Sequence, residues 1–126
     1  MKVSARKSKG SSFEYDCQHS LSAIYPNIYR TSERGFQRQF DLCCESSSLA
    51  IECKKHKEMS WNKAKKLYEK LCKVSKMNHN YLLFKPNQNP CLVFFEETKG
   101  QFTIKEFEHV FNCSFEVHPS TRAKKD

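Results

Sequence analysis

Apolar residues recur along the chain with two periods. Phe13, Cys17, Leu21 and Ile24 follow the three-to-four spacing of one helix face, predicting a helix from about Ser11 to about Ala23. Ser11-Ser12-Phe13-Glu14 has the capping-box form that opens such a helix, and Tyr25-Pro26 closes it. Residues 28–31 form a short strand candidate and Glu33-Arg34-Gly35 a turn. Residues 39–44 and 49–54 read as two strands joined through Glu45-Ser46-Ser47-Ser48, a hairpin.

A long helix runs from Ser60, its cap, to about Met77. Trp61, Ala64, Leu67, Tyr68, Leu71, Cys72 and Ser75 make its inner stripe, and Lys63, Lys66, Lys70 and Lys73 its outer one. Two apolar strands follow at 81–84 and 91–96. Thr103-Ile104-Lys105-Glu106 repeats the capping-box form before Phe107, Val110 and Phe111, predicting a short helix, with an extended piece over 112–117. The order α-β-β-β-α-β-β-α predicts an α/β fold, a mixed central sheet flanked by helices.

The chain's 126 residues suffice for one domain with one core. It divides into a basic flexible arm (1–10), a domain (11–118) and a basic flexible tail (119–126). No apolar run approaches the ~18 residues of a membrane span, and no secretory signal is visible. Seven cysteines without such a signal indicate reduced thiols and a cytoplasmic location.

Charge changes the picture more than composition does. The net is +8 and unevenly placed. Residues 1–10 hold four basic residues and no acidic one, and residues 54–76 hold nine lysines against two glutamates. Clustered basic charge of this kind favours polyanions, nucleic acid first, although a solvated lysine surface has the same composition.

The candidate chemistry lies in Phe40-Asp41-Leu42-Cys43-Cys44 and Ala50-Ile51-Glu52-Cys53-Lys54. Alternation along a strand puts Glu52 and Lys54 on one face, and the hairpin brings Asp41 alongside. Two neighbouring carboxylates repel each other and call for a cation between them. Mg²⁺ takes one or two carboxylates, waters and substrate phosphate oxygens. A nearby lysine can orient a water and neutralise charge on a phosphate. The plainer reading of Glu-x-Lys is a surface ion pair worth under about 1 kcal/mol.

Asp41…Glu52-Cys53-Lys54 resembles the PD-(D/E)xK nuclease motif, and Arg6-Lys7-Ser8-Lys9-Gly10-Ser11-Ser12-Phe13-Glu14 resembles the opening of archaeal-type Holliday junction resolvases. The resemblance covers about residues 5–85. It implies a restriction-endonuclease-like core and a structure-selective DNA endonuclease that resolves four-way junctions as a homodimer. Mg²⁺ would be its cofactor, with Mn²⁺ able to substitute. Carried over by position, Glu14, Asp41 and Glu52 are metal-site carboxylates, Lys54 the catalytic lysine, and Ser32 the serine of a mobile loop. The sequence departs from the pattern at Phe40, where proline is usual, and at Cys53, where a β-branched residue is usual. Two other readings keep the fold: a nuclease cutting linear, flapped or nicked DNA, and a non-catalytic nucleic-acid-binding module.

Glu14 has a second reading as the N3 glutamate of the capping box. Arg30, Arg34 and Arg38 are even-spaced candidates for gripping phosphates, or a solvated strand edge. Lys55 and Lys57 follow the catalytic strand and suit phosphate contacts, and Arg6, Lys7 and Lys9 can lie along DNA. The lysine stripe of the long helix is a backbone rail or a solvated face. Cys17-Gln18-His19 and Cys43-Cys44 lack zinc spacing, and His56, His79, His109 and His118 stand in no recognisable catalytic setting. The phenylalanines of the last third serve the core, a dimer interface, or both.

Overall fold

The computed structural model describes residues 2–34, 39–55, 58–86 and 89–117, with side chains from Ser12 onward. Its elements in chain order are α1 (Lys2–Leu21), β1 (Tyr29–Arg30), β2 (Leu42–Cys44), β3 (Leu49–Lys54), α2 (Trp61–Ser75), β4 (His79–Phe84), β5 (Leu92–Thr98), β6 (Gln101–Glu106) and α3 (Phe107–Phe111). The six strands form one mixed sheet in the order β1-β2-β3-β4-β5-β6. Among the described residues only β3 and β4 are parallel, joined by the α2 crossover; the other neighbours are antiparallel.

Each face of the sheet buries against helices, because alternate residues of its strands are apolar on both sides. On one face Phe13, Cys17 and Leu21 of α1 meet Leu42, Cys44, Leu49, Ile51 and Cys53, and Phe107 and Phe111 of α3 extend that layer. On the other, Ala64, Tyr68 and Leu71 of α2 meet Cys43, Ala50, Leu82, Phe84 and Phe94. Among the described residues, no helix is long and apolar enough to cross a membrane. All seven cysteines are free thiols.

Three expectations change. First, α1 does not begin at Ser11: helical backbone continues from Lys2, so residues 2–10, expected as an arm, extend the helix. Glu14 then lies inside the helix, where an N3 cap has no orphan amide to serve. Second, Thr103-Ile104-Lys105-Glu106 is strand β6, paired with Phe95, Phe94, Val93 and Leu92. The helix starts only at Phe107, and the order gains a third strand after α2. Third, residues 112–117 join no ladder. Their backbone is pinned to α1 instead: Glu116 N–H donates to Ser20 Oγ at 2.7 Å, and Ser20 Oγ–H reaches Glu116 O at 3.1 Å. The expected tail, 119–126, lies outside the described residues.

Candidate active site

The hairpin of β2 and β3 sets the site. Its register pairs Leu42 with Ile51, Cys43 with Ala50 and Cys44 with Leu49. Asp41 stands one residue before β2, with its backbone held on both sides. Its N–H donates to Ile51 O at 3.0 Å, and its carbonyl accepts Thr31 N–H at 2.9 Å. Its side chain turns toward the end of β3, where Oδ2 accepts Cys53 N–H at 2.8 Å. Cys53 points into the core beside Cys17 and Cys91; burial pushes its thiol up to about 11. Glu52 and Lys54 take the opposite face, with Lys54 Nζ 3.3 Å from Glu52 Oε2.

A third carboxylate arrives from α1. Glu14 Oε1 accepts from Arg30 Nε at 3.3 Å and also meets the Asp41 side chain. Arg30 reaches Glu33 at 3.5 Å, and its guanidinium lies 4.2 Å over the Tyr15 ring. Asp41 is therefore the centre, with Glu14 on one side and Glu52 on the other.

The electrostatics follow from this crowding. Burial raises the Glu52 carboxyl first, the negative charge of Asp41 adds to it, and Lys54 opposes both; the outcome is about 7. Burial and then Asp41 likewise raise Glu14, against the pull of Arg30. Burial first, and then the charge of Asp41, thus holds the two outer carboxyls above their ordinary range, with Lys54 and Arg30 only partly opposing it.

Hard carboxylate oxygens suit Mg²⁺. Among the described residues, no three His, Cys, Asp or Glu side chains converge as a ready-made metal cage. Asp41 and Glu52 are the pair that could hold such an ion, the negative charge of Asp41 adding to burial in raising Glu52.

The remaining candidates disperse. Arg30 lies on the edge strand β1 but is buried and engaged with Glu14 and Glu33, not solvated. Arg34 is exposed and lies 4.0 Å over the Tyr29 ring. Ser32 is exposed in the 3-10 turn of Thr31–Arg34, and Lys55 is exposed just past β3. Arg38 and Lys57 lie outside the described residues, as do the side chains of Arg6, Lys7 and Lys9 on the α1 backbone. Lys63, Lys66, Lys70 and Lys73 are all exposed.

Two residues with site roles escaped the sequence reading. Tyr15 supports Arg30, and Thr31 donates its hydroxyl to Phe40 O at 2.6 Å, tying together the ends of the segment between β1 and β2. Compared with known proteins, the chain matches no family model, no curated protein and no solved structure.

Proposed function

We propose that this chain is a Mg²⁺-dependent DNA endonuclease selective for branched, four-way DNA and working as a homodimer. The observation that carries the reading is the Asp41–Glu52–Lys54 set, with Glu52 held near 7 by burial and by Asp41. An ordinary surface ion pair has no cause for such a shift. The element order supports it further: helix with Glu14, strand, Asp41, the Glu52–Lys54 strand, long helix, parallel strand. That is the order the resemblance to PD-(D/E)xK nucleases implies, and junction selectivity and dimerisation rest on the resemblance to resolvases.

Asp41 and Glu52 would hold Mg²⁺, and Glu14, already in contact with Asp41, would bias that carboxylate's position. When bound, such an ion polarises a phosphodiester and lowers the pKa of water. Lys54 would hydrogen-bond a phosphate oxygen or the attacking water, with Glu52, 3.3 Å away, fixing its direction. Hydrolysis joins the water oxygen to phosphorus and breaks the bond to the leaving oxygen, which takes up a proton.

The test is cleavage of a labelled immobile four-way junction and a matched linear duplex, in Mg²⁺ and in EDTA. Paired, symmetric, Mg²⁺-dependent nicks near the crossover are expected, with the duplex intact. Cutting of both substrates removes junction selectivity. No cutting in Mg²⁺ or Mn²⁺ removes the endonuclease and leaves Asp41, Glu52 and Lys54 an ion cluster.

A further inference from the structure

Trp61 was expected in the inner stripe of α2, yet it is 47% exposed. It is the first residue of α2, directly after the capping Ser60, and the chain's sole tryptophan. Its ring stands at 67° to Phe94, with centroids 5.1 Å apart. Phe94 is fully buried and braced by Tyr68 at 5.6 Å and by Phe102, stacked at 5.8 Å. The indole thus rests on a rigid aromatic wall while nearly half of it meets solvent.

Basic residues lie close to it in the chain: Lys55, Lys63 and Lys66 are exposed, and Lys65 Nζ lies 5.3 Å over Phe102, the ring stacked on Phe94. The first turn of α2 holds no acidic residue, and Glu58 is the one acid between residues 55 and 66.

The sheet register relates this place to the carboxylates. Glu52 pairs with Leu82, and Leu82 with Phe94, so the three side chains form one row on the α2 face. Two strand spacings make that row roughly 10 Å long. At about 3.4 Å per stacked base, a base on Trp61 would lie a few nucleotides from a phosphate at Glu52.

We propose that Trp61 is a stacking platform for an unpaired base of a DNA strand crossing the Glu52–Lys54 site. The inference rests on the nucleic-acid reading above and adds the substrate feature it selects: a base free of its duplex partner. Every base offers a π-face, so the platform is indifferent to sequence. The lysines close to it in the chain hold the backbone.

The test uses the full chain in EDTA, so that binding is read without cleavage. Titration with a short oligothymidylate quenches the fluorescence of Trp61, and a blunt duplex of equal length does not. With a labelled oligothymidylate, Trp61→Ala weakens binding about 5- to 100-fold and Trp61→Phe by less than about threefold. Far-UV circular dichroism checks that both variants fold; the wild-type quench requires neither. Absence of quenching, equal quenching by the duplex, or unchanged affinity of folded Trp61→Ala overturns the platform. Quenching by a protein that never cuts DNA keeps the platform and removes the endonuclease. Cleavage in Mg²⁺ without quenching does the reverse.

Discussion

Replacing Asp41 by Asn separates charge from hydrogen bonding at the centre of the site. The amide oxygen can still accept Cys53 N–H, which Asp41 Oδ2 does at 2.8 Å, but the charge facing Glu52 and Glu14 is gone. In the wild type the Glu52 carboxyl stands at about 7 against an ordinary 4.5. The folded protein therefore keeps a proton that the unfolded chain has released, and stability falls as pH rises through that window. A gap of this size corresponds to at most about 3 kcal/mol. Burial is its larger cause, so the share owed to Asp41 is about 1–2 kcal/mol. Glu14, also raised partly by Asp41, acts in the same direction; Arg30 and Lys54 oppose it. For a domain of this size each kcal/mol moves Tm by about 4 °C. Thermal melts in EDTA should show Asp41→Asn about 4–8 °C above wild type near pH 8, with the gap closing near pH 5. A gap that stays constant between those pH values would refute the coupling of Asp41 to Glu52.

Two further outcomes are expected. Glu52→Ala and Lys54→Ala should each lower junction cleavage by at least about a hundredfold while gel-shift affinity for the junction is retained; normal cutting by both would move the site elsewhere. Ser60→Ala removes the hydroxyl that accepts Lys63 N–H at 3.1 Å, and urea denaturation should show a loss of about 1 kcal/mol.

Much of this arrangement is legible in the residues. β3 falls on Leu49–Lys54 as predicted: Leu49, Ala50 and Ile51 are buried on both faces, and the period of two shows over Ile51–Lys54, where Cys53 is buried and Glu52 and Lys54 are partly exposed. The Ser60 cap opens α2 as expected. Thr103-Ile104-Lys105-Glu106 misled because one stretch satisfies two patterns. Its capping-box letters match a helix start, while its pairing with β5 depends on partners distant in sequence. Glu14 had two readings, a cap from its local pattern and a site carboxylate from the resemblance; the cap fails because α1 starts at Lys2, and its contact with Arg30 depends on a partner 16 residues away that local pattern does not show. Trp61 has helical spacing but is the first residue of α2, packing one side on Phe94 and leaving the rest exposed, and spacing along a helix does not reveal how much of a side chain its neighbours cover.

The turn between β2 and β3 has a consequence for how this gene can change. Ser48 holds a left-handed conformation with φ 50°, its hydroxyl accepts Asn78 N–H at 2.8 Å, and its carbonyl accepts His79 N–H at 2.9 Å. These contacts lock the phase of β3 against both neighbouring strands. Loss or gain of one codon between 45 and 48 would shift that phase by one residue. Ile51 and Cys53, now packed in the α1 layer, would then move to the α2 face, and Glu52 and Lys54 would be driven into the apolar layer beside Phe13 and Cys17. Length variation, tolerated in most surface loops, would here exchange the two faces of the strand at once.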